Sequence, residues 1–189
     1  IISIGLTLIF GVVRVVNFAH GELLMIGMYA VYLASNHLGL HPYASALPVA
    51  VLLFAIGASI QRFIIQPLLK ADPHIQIFAT VGVSTALLNL GLMLFGADVL
   101  RVSTEVGTGT FQLGEFSIVS GQLVTFLVSL VLVGALYWFL GNTYIGRAFR
   151  AVSQHRYAAT LMGVNVDRMY IYAFGLGAAC VGLAAALLS

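Results

Sequence analysis

Charged residues divide this 189-residue chain into long apolar runs. No Asp, Glu, Lys or Arg occurs in 23–61, 73–97, 116–146 or 169–189, gaps of 39, 25, 31 and 21 residues. A helix that crosses a bilayer needs about 20 mostly apolar residues. Each gap therefore holds at least one span, and the longest holds most of two. The pattern predicts helices over about 1–16, 22–36, 44–66, 75–96 and 121–140, and a sixth from near 169 to the end. Asn17-Phe18-Ala19-His20-Gly21-Glu22 separates the first two. Pro67 closes the third, and Asp72-Pro73 is a turn signal because the residue before proline avoids the helical region. The expected fold is all-α: a polytopic transmembrane bundle of about six spans with a broken helix near 17–22.

Two polar stretches have patterns of their own. In 97–120, Leu100, Val102, Thr104 and Val106 alternate onto one face, and Phe111 and Leu113 follow Gly107-Thr108-Gly109. That predicts a β-hairpin with a glycine-containing turn. In 141–168, Ile145, Phe149 and Val152 recur at helical spacing while Arg147, Arg150, Ser153 and Gln154 fall elsewhere, which predicts an amphipathic helix. Such a helix suits either anionic lipid or a docked protein. Asn165 is placed to cap the sixth helix, with Asp167 in its first turn.

Composition excludes the soluble classes. Hydrophobic residues make up 61% of the chain and charged residues 7%, against about 25% charged in a soluble domain. The pattern is not the alternation of a membrane β-barrel. A net charge of +2 is too small to imply a nucleic-acid partner. Cys180 stands alone, so an internal disulfide or CxxC site is impossible. The chain starts and stops inside apolar runs, so a longer protein, with further helices beyond the C-terminus at least, is expected.

Charge sets the orientation. Segments 14–22, 62–74 and 141–168 carry Arg14, Arg62, Lys70, Arg147, Arg150, Arg156 and Arg168, whereas 36–44 and 97–120 carry only Arg101. The positive-inside rule puts the first set in the cytoplasm and makes 97–120 an external loop.

The chemistry is sparse. Polar groups at 17–22 either form a cytoplasmic turn, with Asn17 capping the next helix, or line a pathway, because irregular backbone at membrane depth is tolerated only where it is buried in protein or faces a cavity. Gly82-Val83-Ser84 resembles a serine-protease motif, yet mid-helix Ser and Thr more often serve packing or pathway lining. No G-x-x-x-x-G-K-[ST] exists, because Lys70, the only lysine, follows Leu69. ATP and Mg, if used, must be held by another subunit. The chain itself is expected to be neither an enzyme nor a cofactor binder.

The blocks VVNFAHGELLMIGMYAVYL, IQRFIIQPLL, TVGVSTALLN and YIGRAFRAVSQHRYAATLMGVNVDRMYIYAFGLGAACVGLAAALL together resemble the branched-chain amino acid ABC transporter permease family. The resemblance spans essentially the whole chain and implies a single permease domain over 1–189 in the cell (inner) membrane. It implies two P-loop ATPase subunits, a second related permease and an extracytoplasmic solute-binding protein as partners. It also implies that Asn17, His20, Gly21 and Glu22 lie at a break lining the substrate pathway, with Thr80, Ser84 and Asn89 facing it. Importer loops that contact the ATPase carry E-A-A-x-x-x-G; here Ala158, Ala159 and Gly163 match, and Tyr157 replaces the Glu. By the resemblance, 147–165 is the coupling helix, with Arg147, Arg150 and Asn165 among its residues. A channel or secondary carrier acting alone is the alternative.

Overall fold

The computed structural model describes residues 1–96, 110–113 and 116–189. The elements are α1 (Ile2–Val13), α2 (His20–Leu38), α3 (Pro42–Ile60), a π-helical turn (Gln61–Ile65) running into α4 (Gln66–Leu68), α5 (Pro73–Phe95), β1 (Thr110–Leu113), β2 (Phe116–Val119), α6 (Ser120–Asn142), α7 (Tyr144–Gln154), α8 (Arg156–Leu161) and α9 (Val166–Leu188).

The last helix is the hub. Helix α9 buries Ala173, Phe174, Gly175, Gly177, Ala178, Val181, Gly182 and Ala184–Ala186 against α1, α2 and α3. In lipid no hydrophobic drive separates helix from tail, so close backbone approach through small residues does the packing. Ala50 of α3 lies level with Gly182, and a methyl on Gly182 would sit 2.9 Å from the Ala50 Cα. Farther along, Gly57 of α3 faces Ala178, so α3 runs antiparallel to α9. Helix α1 is antiparallel as well, with Gly5 against Gly177 and Cys180. Helix α2 rises alongside α9, placing Gly27 against Gly182 and Ala185.

Helices α5 and α6 lie outside this core. Helix α5 buries only Thr80 and Gly91, and Phe78, Met93 and Leu94 are bare. Helix α6 likewise exposes Phe126, Leu130, Val131, Tyr137 and Trp138. Surfaces of this kind suit lipid or other membrane helices. The Tyr43 hydroxyl meets the Thr125 hydroxyl at 3.2 Å and ties the start of α3 to α6.

Several expectations need correction. Among the described residues, four helices are long and apolar enough to cross a bilayer: Pro42–Leu68, Pro73–Phe95, Gly121–Asn142 and Val166–Leu188. Of the six expected spans these four meet that length and composition; α1, with 12 residues, and α2, whose 19 include Glu22, Asn36 and His37, fall short of it. The first break lies at 14–19 instead of 17–22, and Gly21 and Glu22 belong to α2. The third helix does not stop before Pro67. Proline cannot donate to the carbonyl four residues back. The chain widens over the preceding turn, where Gln66 N–H donates to Gln61 O, and continues to Leu68. The described strands pair antiparallel with Phe111 opposite Ile118. The expected hairpin turn at Gly107-Thr108-Gly109 and the arm before it lie outside the described residues. The single expected helix over 147–165 is two helices, α7 and α8, divided at His155 (φ −151°).

Candidate translocation site

Helix α1 ends where Arg14 turns left-handed (φ 62°) and its N–H bonds to Phe10 O at 2.9 Å. The chain then reverses. His20, first residue of α2, places its Nε2 3.2 Å from Ile2 O, at the opposite end of α1. A 12-residue helix is about 18 Å long. The six residues 14–19 and the reach of the His20 side chain together cover that distance. The return segment alternates: Val15, Asn17 and Ala19 are 3%, 3% and 0% exposed, whereas Val16 and Phe18 are 42% and 51% exposed. The segment is neither helix nor strand: it starts at left-handed Arg14 and closes in a turn at Phe18-Ala19 (Ala19 φ −77°, ψ 8°), so its backbone groups need partners outside regular structure.

Two side chains meet part of that need. Thr80, 1% exposed on α5, donates its hydroxyl to Val16 O at 3.2 Å and also lies 2.9 Å from Ile77 O. Asn17 folds on itself, its Oδ1 accepting from Ala19 N–H at 3.1 Å. Asn17 therefore does not cap α2. The N-cap is Ala19, with no capping side chain, and the first intrahelical bond is Leu23 N–H to Ala19 O.

The result is a helix N-terminus beginning within the fold and surrounded by unsatisfied polar atoms. Asn17 Nδ2, His20 Nδ1 and Glu22 Oε2 are buried without a hydrogen-bond partner among the described residues. Leaving a buried polar group unpaired costs about 1–3 kcal/mol. The arrangement offers an amide donor, uncapped backbone N–H groups and the positive end of a helix dipole to a ligand, with the Glu22 carboxylate in the same first turn. Gly21 leaves open space beside the first turn.

The other expected pathway residues divide. Thr80 joins the break. Ser84, one turn farther along α5, is half-buried. Asn89 is exposed and donates to Thr85 O of its own helix at 2.7 Å, away from the break. Sequence reading missed Gln61. It is 0% exposed, sits in the π-helical turn, and neither atom of its amide has a partner among the described residues. Its signal was available: an amide side chain closing a long charge-free gap, six residues before Pro67.

The loop between α6 and α9 forms the second candidate site. Thr143 caps α7, its Oγ1 accepting from Gly146 N–H at 3.1 Å. Phe149 and Val152 are buried and Ile145 half-buried, as the apolar stripe requires. Arg147 donates to Asn142 O at 3.0 Å, and Arg150 donates to Leu140 O at 2.8 Å and Gly141 O at 3.2 Å. Both thus satisfy carbonyls at the end of α6, where a cation is favoured. Helix α8 buries Ala159 and exposes Ala158. Tyr157, Leu161 and Met162 beside it are 70%, 71% and 85% exposed. It ends at Gly163 (φ 82°), with Gly163 N–H bonded to Thr160 O and Val164 N–H to Ala159 O, a Schellman closure that favours glycine. Asn165 then caps α9, accepting from Arg168 N–H at 3.1 Å. Arg14 links the two sites: its Nη2 donates to Ser153 O at 2.9 Å.

A family model described as branched-chain amino acid transport system / permease component matches residues 1–189. The high-affinity branched-chain amino acid transport system permease protein LivH of Escherichia coli (strain K12) is 31% identical over 200 residues, covering 100% of this chain and 65% of that protein. BraD of Pseudomonas aeruginosa, of the same description, is 29% identical over 201 residues with the same coverage. A probable branched-chain amino acid transport permease protein LivH of Methanocaldococcus jannaschii is 29% identical over 194 residues, covering 61% of its length. The chain thus spans 61% to 65% of the length of these relatives. No solved structure matches it. With a glycine- and alanine-packed helical membrane core and a whole-length family match, the chain belongs to the branched-chain amino acid transport system permease components.

Proposed function

We propose that this chain forms the core of a permease subunit in an ATP-driven importer of the cell (inner) membrane. It passes branched-chain amino acids, or a related small polar solute, from an extracytoplasmic binding protein to the cytoplasm by alternating access. The observation that carries the reading is the return segment 14–19, which starts α2 inside the fold and leaves Asn17, His20 and Glu22 with buried unpartnered atoms. A solute carboxylate matches the N-terminal dipole and the Asn17 amide. Thr80 holds the backbone of the break, and Ser84 supplies a weak hydroxyl contact, suited to a site that must release what it binds. In this reading α1 and α2 make two further crossings, the ribbon of β1 and β2 is external, and α7 and α8 are cytoplasmic.

ATP and Mg belong to two partner P-loop ATPases, and a related permease completes the membrane part. Helix α8 and Gly163 form the element seated on the ATPase, because Tyr157, Leu161 and Met162 stand bare there. Arg14 carries its movement to the break through Ser153, and the cavity changes its side of access.

Uptake by the full complex in vesicles tests this. Asn17→Leu and Glu22→Leu are expected to lower uptake at least tenfold while the complex still assembles. Normal uptake by both would overturn the pathway. Transport in ATP-free vesicles by the permease alone would replace the importer with a lone channel or carrier.

A further inference from the structure

A polar pocket of 210 Å³ lies where α1 ends. Four segments converge on it: Arg14 after α1, Gln154 at the end of α7, His155 and Arg156 at the α7–α8 joint, and Tyr170 on α9. No carboxylate lines it among the described residues. Its volume is that of several waters in the liquid, room for a phosphate group and part of its ester.

The pocket has built features. Arg14 holds a left-handed backbone conformation, the only non-glycine residue with positive φ among those described. Its guanidinium is anchored on Ser153 O at 2.9 Å, which leaves other N–H groups free. His155 is extended between two helices, so Gln154, His155 and Arg156 follow one another around one wall. Arg156 makes no side-chain hydrogen bond to another described residue. Two guanidinium groups facing one small space repel each other unless an anion lies between them. Planar N–H forks match phosphate oxygens in pairs. The position agrees: the apolar run of α1 stops here and the basic segments begin, which is the depth of lipid phosphates.

We propose that this pocket binds a phosphate group, supplied either by an anionic lipid headgroup or by a soluble phosphate. It lies beside the Arg14–Ser153 link, so an occupant would brace the joint between the return segment and the α7–α8 loop.

Native mass spectrometry of the full-length permease in detergent tests the proposal. In one series the protein meets phosphatidylglycerol and phosphatidylcholine together; in the other it meets inorganic phosphate. Retention of phosphatidylglycerol over phosphatidylcholine, reduced about tenfold in Arg156→Gln and His155→Gln, identifies the lipid source; tenfold corresponds to one charge-assisted contact. Phosphate adducts with the same dependence, and no lipid preference, identify the soluble source. Lys70→Gln, a basic residue outside the pocket, is expected to bind as the parent does. Equal binding by parent and pocket variants, equal loss in Lys70→Gln, or no preference in either series would overturn it. Both pocket residues are exposed, and helical circular dichroism checks that the variants fold.

Discussion

Thr80 shows how one hydroxyl holds irregular backbone inside an apolar fold. It is almost fully buried and donates to Val16 O. Thr80→Val keeps the shape and leaves that carbonyl unsatisfied, so a loss of about 1–3 kcal/mol is expected. Thr80→Ser retains the donor and is expected to unfold close to the parent, as thermal unfolding in detergent will show. Gln61 behaves oppositely. Both its amide atoms are buried without a described partner, so Gln61→Leu is expected to raise the melting temperature or leave it unchanged. If Gln61 serves the pathway, the same variant loses transport, as polar groups kept at a cost to stability do. Uptake and unfolding measured on one preparation separate the two effects. Asn17 was legible in the sequence because it interrupts an apolar run. Its self-bonded turn was not, because Ala19 N–H, the group it accepts from, is freed only by the shape of the whole return segment.

At the scale of elements, the helix ends followed local signals where those existed. Thr143 and Asn165 cap as their side chains allow, and α5 starts at Pro73 behind Asp72. The first break was misplaced because Val15-Val16 resumes the apolar pattern after Arg14. Val15 and Val16 are β-branched and suit an extended chain equally well, and contact with α5 decides between the two. The π-helical turn was hidden for a similar reason: Pro67 announces a disturbed helix, and packing decides whether the helix stops or widens. Small residues on α9 carry a firm expectation. Gly182→Val has no room against Ala50, and overpacking costs about 1–3 kcal/mol. A melting temperature within a degree of the parent would contradict that packing. Gly163 is different. A methyl there meets nothing, yet φ is 82°, so Gly163→Ala is expected to cost about 1 kcal/mol through the backbone alone. Gly163→Trp is expected to abolish transport while fold and binding-protein docking persist, and undiminished uptake would remove α8 from coupling.

Across the whole molecule, one arrangement joins the two candidate sites. The return segment begins at Arg14, and Arg14 is hydrogen-bonded to the last turn of α7. In the proposed mechanism this bond is the route by which motion of α7 and α8 reaches the break without crossing the α9 core. The sequence made the membrane class and the polar break legible, because both depend on where charge is missing. It could not show that the break runs back along α1, since His20 meets Ile2 only through the folded reversal. The central claim is that this return segment lines a water-filled path whose access changes with nucleotide. Thiol labelling tests it most directly. Cys180, the single cysteine, is buried in α9 and is replaced by alanine, after which Asn17→Cys and Gly21→Cys are introduced separately into the full complex. The account predicts that a membrane-impermeant reagent labels these positions in one nucleotide state, that labelling falls in the other, and that solute protects them. Positions that stay unlabelled in both states, or react equally in both and ignore solute, would contradict it.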